Sequence, residues 1–210
     1  MVDNFELIKD LLEFRSQDDF YFLQIIQRKK DNKIDGTQKI AGSSNNSRMI
    51  KMYTVHSVEY LDKIKDEIIE LCKLFNARAG IELNRKSYQQ ISLQTARLIM
   101  DQFLNKQYSD AIKAYSSTCG RFSNESNKKW IIDVDKDQLN KLDDIKKLLE
   151  HPDLEPEGNK IICEIPSKTG IHIITRPFNV EKFKNSIYSK VLGLDKLDIQ
   201  KSNPTNLYIP

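Results

Sequence analysis

Two aspartates one residue apart, Asp133 and Asp135, close the apolar run Lys129-Trp130-Ile131-Ile132-Asp133-Val134-Asp135. Successive side chains of a strand alternate between its faces, so the two carboxylates share a face while Val134 points to the other. Like charges held side by side repel each other, and a divalent cation between or above them relieves the repulsion. The competing reading is a strand that runs out into a solvated helix start.

Further along, Gly170-Ile171-His172-Ile173-Ile174-Thr175 reads as a strand carrying one histidine, two residues past a glycine that admits close approach by backbone or ligand. A histidine among isoleucines is either a satisfied core residue or a ligand. Beside metal-bound carboxylates, an imidazole is well placed to contact a triphosphate. Leu197-Asp198-Ile199 offers a third acid, and Asp198 reads equally as a surface acid or a metal ligand, with Asp195 as its nearest competitor. Two cations held by three carboxylates can activate a 3′-hydroxyl and steady a leaving pyrophosphate. Lys168 and Arg176 flank the histidine strand; they can neutralise phosphates or serve as ordinary hairpin-end charges.

The elements that must position these residues follow from hydrophobic periodicity. Residues 129–135 read as a strand, 137–150 as a helix, 160–165 and 170–176 as strands joined by a tight turn at Lys168-Thr169-Gly170, 179–189 as a helix, and 196–209 as one or more final strands. That βαββαβ order is the ferredoxin-like plan, shared by RNA-recognition domains and many polymerase palms. Before it, the pattern predicts a helix over 3–15, strands over 20–27 and 49–55, an amphipathic helix over 58–75 with Leu61, Ile64, Ile68, Leu71, Leu74 and Phe75 on one stripe, a strand over 77–84, and helices near 88–106 and 108–117. The Asn-, Ser-, Gly- and Lys-rich stretch 31–48 reads as an exposed loop. A polar link over 120–129 sets the boundary between an α/β lobe, 1–125, and an RNA-recognition-like, palm-like unit, 126–210. The expected fold class is α+β.

The ordered set D-V-D, T-G-I-H and L-D-I resembles the three motifs of the archaeo-eukaryotic primase–polymerase superfamily: hydrophobic-D-x-D, small-x-H, then hydrophobic-D. The resemblance covers roughly residues 129–210, and the chain also looks like small proteins of bacteriophage origin. It implies that Asp133, Asp135 and Asp198 ligate Mg²⁺ or Mn²⁺ in a two-metal catalytic site. It further implies that His172, with Gly170, Lys168 and Arg176 around it, binds the incoming nucleoside triphosphate. Single-stranded template or primer–template nucleic acid would be the macromolecular partner, with a helicase or another replisome component beside it. One departure is that the final apolar stretch, Leu207-Tyr208-Ile209, carries no acid.

Composition bounds these readings. The chain has 210 residues, 39% hydrophobic and 30% charged, with a net charge of +3, which permits nucleic-acid binding without demanding it. The basic clusters Arg28-Lys29-Lys30 and Arg85-Lys86 at predicted element ends are candidates for phosphate contacts, or solvated faces. Cys72, Cys119 and Cys163 are odd in number and far apart, which argues against a disulfide framework or a compact zinc site. No apolar run is long enough to span a bilayer, and no signal-peptide pattern opens the chain. The expected compartment is therefore the cytoplasm of a bacterial or phage-infected cell. A noncatalytic nucleic-acid-binding or regulatory protein is the alternative function. Hydrolysis ranks lower, because Glu164 and Lys168 have the wrong spacing for the common nuclease pattern, and only His172-Ile173-Ile174-Thr175 comes near the H-x-T-like element that a two-histidine phosphoesterase needs twice.

Overall fold

The computed structural model describes residues 1–28, 47–123, 125–202 and 204–210. The chain is α+β. It divides into two compact units, the first formed by residues 3–126 and 206–210, the second by residues 127–205.

The first unit opens with β1 (Val2–Asp3) and a short α1 (Phe5–Lys9). The predicted helix over 3–15 ends early because the following backbone groups go elsewhere. Glu13 N–H donates to the Tyr21 hydroxyl at 2.9 Å, and Asp19 accepts from the Arg15 and Ser16 N–H groups at 2.7 and 3.0 Å. The long strand β2 (Asp19–Arg28) pairs antiparallel with both β3 (Ser47–Val55) and β4 (Arg78–Ile81). Phe20 and Phe22 are buried on one side of β2 with Ile91 and Cys119. Tyr21, Leu23 and Ile25, on the alternate side, are buried as well, so the strand reads as continuously apolar. β3 starts at Ser47, taking in Ser47 and Arg48 from the predicted loop; residues 29–46 lie outside the described residues.

Ser57 caps α2 (Val58–Leu74) by accepting from Tyr60 N–H at 3.0 Å. Its buried stripe is Leu61, Ile64, Ile68 and Cys72. Leu74, predicted on that stripe, is exposed. β5 (Lys86–Ser87), α3 (Tyr88–Leu104), a 3-10 segment over Tyr108–Lys113 and α4 (Ala114–Arg121) complete this part.

The second unit runs β6 (Trp130–Val134), a 3-10 turn over Lys136–Lys141, α5 (Leu142–Leu149), β7 (Ile161–Pro166), β8 (Ile171–Thr175), α6 (Val180–Asn185), α7 (Ile187–Leu192) and β9 (Asp198–Gln200). Its sheet order is β7-β8-β6-β9, with every neighbouring pair antiparallel. Ile132, Val134 and Ile173 point to one face and form a core with Ile145, Leu149, Phe178 and Phe183 from the helices. By alternation, Ile131, Asp133 and His172 occupy the opposite face.

The last strand corrects the boundary drawn from sequence. β10 (Thr205–Ile209) joins the first sheet, in the order β1-β10-β4-β2-β3, so residues 206–210 count with the first unit and not with residues 127–205. Its apolar residues Leu207, Tyr208 and Ile209 are buried. Among the described residues, no helix is long and apolar enough to cross a membrane.

Candidate functional site

The register of β6 places the chemistry. Asp133 stands directly opposite His172 of β8 on one side and directly opposite Asp198 of β9 on the other. Directly opposed residues of antiparallel strands share a face, with Cβ atoms about 5 Å apart. The three motif residues therefore form one row across the sheet, and Asp133 is its centre. The flanking pairs Ile132–Ile173 and Ile132–Ile199 fall on the helix-covered face, so the core fixes which face the acids take.

His172 Nε2 lies 3.5 Å from Asp133 Oδ1, and its Nδ1 lies 2.9 Å from the hydroxyl of Thr205. Both His172 and Thr205 are buried. Burial pushes the imidazole pKa below its ordinary value, and the charges of Asp133 and Asp135 pull the other way without reversing the shift. The ring is thus neutral at pH 7, and the contact with Asp133 is that of a carboxylate facing a neutral imidazole, not an ion pair. A proton on Nε2 facing Asp133 leaves Nδ1 to accept from the Thr205 hydroxyl. Thr205 escaped sequence reasoning: it sits 33 residues from His172 in the chain and belongs to no motif.

Asp135 lies just beyond β6 and is exposed. It is the N-cap of the 3-10 turn over Lys136–Lys141, in a capping box with Gln138, whose side-chain oxygen accepts the Asp135 N–H at 3.3 Å. Asp198 is exposed, and its Oδ2 accepts from Gln200 Nε2 at 2.5 Å. Carboxylate oxygens are the donors that Mg²⁺ and Mn²⁺ prefer. Among the described residues, however, no three His, Cys, Asp or Glu side chains are gathered as a metal site. The backbone aligns Asp133 with Asp198, while the carboxylates point to separate partners.

Gly170 has a structural duty. A Cβ there would fall 2.0 Å from the Val134 carbonyl oxygen and 3.1 Å from Asp135 Cα, so only glycine lets the β7–β8 turn pass against the end of β6. Its N–H donates to Ser167 Oγ at 3.0 Å, and its carbonyl accepts from Ser167 N–H at 2.9 Å. The close approach read from sequence is thus an approach of backbone, and both backbone groups of Gly170 are engaged within the turn. Lys168 is exposed on that same turn, at the end of β8 nearest Asp135.

Other residues assigned from sequence stand elsewhere. Arg176 follows the far end of β8, four residues and so about 13 Å of strand beyond His172, and donates to the Asn159 carbonyl at 3.3 Å. It does not join the acid row. Arg85 and Lys86 are 3% and 1% exposed, which corrects their assignment to nucleic-acid contact. Lys86 Nζ lies 2.7 Å from Glu82 and donates to the Phe122 carbonyl at 2.9 Å. Arg85 lies 3.4 Å from Asp19 and 3.6 Å from Glu125, both buried. Burial pushes the Glu82 carboxyl upward while Lys86 opposes the shift. These cations are neutralised inside the first unit and do not present themselves to a phosphate. Arg28 is exposed at the end of β2, and Lys29 and Lys30 lie outside the described residues. The three cysteines are free; Cys72 and Cys119 are buried, which lifts their thiols to about 12 and about 11.

No family model, curated protein or solved structure matches the chain.

Proposed function

We propose that the protein is a metal-dependent nucleotidyltransferase of primase–polymerase type, synthesising or extending a primer. The observation that carries this reading is the register of β6, which sets His172 and Asp198 on either side of Asp133 on one sheet face, with Asp135 just beyond. Asp133, Asp135 and Asp198 would hold Mg²⁺ or Mn²⁺, which when bound activates a 3′-hydroxyl and neutralises charge on the leaving pyrophosphate. Gathering them requires Asp135 and Asp198 to turn from Gln138 and Gln200 toward Asp133. His172, neutral and held by Thr205, would turn its one N–H from Asp133 to a triphosphate oxygen on the same face. Lys168, on the adjoining turn, supplies positive charge at that end of the sheet. Nucleic acid and nucleoside triphosphates are the substrates in this reading, and a helicase or another replisome component its partner.

Purified protein incorporates labelled nucleotides into a primed or unprimed template with Mg²⁺ or Mn²⁺, and the Asp133→Ala/Asp135→Ala variant falls to background. Inert wild type across templates and both metals overturns the reading. A second reading, a noncatalytic nucleic-acid-binding protein, draws on the commitment of Asp135 to its helix cap and on the ungathered acids. Template binding that falls steeply with salt yet ignores EDTA, in a protein that incorporates nothing, selects it.

A further inference from the structure

Helix α3 of the first unit is apolar on two opposite faces. Its inner face carries Ile91, buried with Phe20 and Phe22, and Tyr88, whose ring stacks on Phe20 at 4.3 Å. On a helical wheel Gln89, Leu93, Ala96, Met100 and Leu104 lie within about 40° of the direction opposite Ile91, and Phe103 and Arg97 flank them at about 60° on either side. A surface helix normally turns charged residues outward, yet Arg97 and Asp101 are the sole charges among the 17 residues of α3. The apolar face continues onto the next segment, where the Tyr108 ring meets Phe103 edge-on at 5.4 Å. Exposure of these large side chains runs from 53% at Phe103 to 78% at Leu104.

The area decides what such a face requires. At roughly 200 Å² for each large side chain, Leu93, Met100, Phe103, Leu104 and Tyr108 leave on the order of 600 Å² exposed. That reaches the top of the roughly 300–600 Å² of the largest patch on a typical monomer and makes up most of the about 800 Å² that each partner gives to a standard interface.

The spacing points to the occupant. Leu93, Ala96, Met100 and Phe103 follow one another at three, four and three residues, the spacing of a helix–helix seam. They are also arranged symmetrically about Leu98: in an antiparallel pair of identical helices, Leu93 meets Phe103 and Ala96 meets Met100, each in both directions. In the two central layers the small residue then faces the long one, whereas a parallel pair would set Ala96 against Ala96 and leave a gap. A two-fold interface demands a patch complementary to itself. We propose that a second copy of this chain docks on the outer face of α3, the two α3 helices packing antiparallel about a two-fold axis near Leu98.

Sedimentation equilibrium of the full chain between about 1 and 100 µM tests this. Wild type is a dimer in that range, and Met100→Glu, which puts a charge into the seam, weakens association by on the order of a hundredfold. Leu93→Lys does the same, and because both positions are exposed in the single chain, circular dichroism and the thermal midpoint of either monomeric variant report intact folding. In a Cys163→Ser background, oxidising a mixture of Ala96→Cys and Met100→Cys chains gives a cross-linked heterodimer faster than either chain cross-links with itself. A monomeric wild type, or a dimer indifferent to both seam charges, overturns the proposal. Preferential Ala96→Cys self-linking overturns the antiparallel arrangement.

Discussion

Glu82 and Lys86 in the first unit and Asp133 and Asp198 in the second are both pairs of neighbouring ionisable groups, placed by their folds in opposite ways. The first pair is buried, of opposite sign, and closed by a further hydrogen bond from Lys86 to the Phe122 carbonyl. Arg85 repeats the pattern with Asp19 and Glu125. The second pair is of like sign, directly opposed across a β-ladder, and open to solvent at Asp198. Opposed like charges weaken a sheet. A fold that needed only stability would place a threonine or an opposite charge there. Charge that is neutralised from within serves the fold, whereas the like charge set side by side at the surface is what the cation of the proposed function would relieve.

Breaking the first pair has the largest expected effect. Lys86→Met leaves Glu82 buried without its cation and costs about 3–5 kcal/mol of stability, read as a fall in the urea midpoint at constant slope. Glu82→Leu/Lys86→Met together recover most of that loss. A double variant as unstable as the single one shows that the pair itself, and not the avoidance of a lone charge, holds the segment.

Gly170→Ala comes next. The added methyl meets the Val134 carbonyl, so the β7–β8 turn and the end of β6 must separate, at about 1–3 kcal/mol or more. Because His172 and Asp133 stand beside that contact, nucleotide incorporation falls further than the loss of folded protein explains. Unchanged stability would mean that the turn passes β6 at a greater distance.

Asp198→Asn has the opposite sign. Removing one of two opposed carboxylates stabilises the apo protein by up to about 1 kcal/mol while lowering nucleotide incorporation. Thermal midpoints with and without Mn²⁺ read both sides: the cation raises the midpoint of wild type and fails to raise that of the variant. Destabilisation by Asp198→Asn would place Asp198 among the structural charges, with Glu82 and Lys86.

The smallest effect is the proton on His172. Its folded pKa lies below its ordinary value, so in the window below about 6.5 the unfolded chain holds more protons than the folded one. The stability that comes with the neutral buried ring is complete above about 6.5 and is lost as pH falls toward the folded pKa. An NMR titration of the ring protons gives a midpoint lower in the folded protein than in urea; a higher folded midpoint would mean that the two aspartates outweigh burial.

The second unit was legible to an unequal depth. Alternation in Ile131-Ile132-Asp133-Val134 and in Ile171-His172-Ile173 is enough to assign strands and faces, and the βαββαβ order follows from counting elements. What decides the site, Asp133 opposite both His172 and Asp198, needs the strand order β8-β6-β9, for which the sequence offers only a topological expectation. Arg176 shows the limit: it flanks the histidine strand as read, but at the end away from Asp135. Thr205 is invisible because nothing near it in sequence announces a partner for an imidazole. Arg85 and Lys86 misled for a physical reason. A basic pair at a strand end reads as solvated unless the acids that bury it are known, and Asp19 and Glu125 lie 66 and 40 residues away by number. β10 left the second unit because an apolar strand with no acid says nothing about which sheet it joins.

The most direct test of the acid row is calorimetric titration of Mn²⁺ into the protein with a non-hydrolysable nucleoside triphosphate present. Saturable binding is expected in wild type, lost in Asp133→Asn and in Asp198→Asn and retained in Glu82→Leu/Lys86→Met. Wild type that takes up no Mn²⁺, or uptake indifferent to Asp133 and Asp198, would contradict metal binding by the acid row.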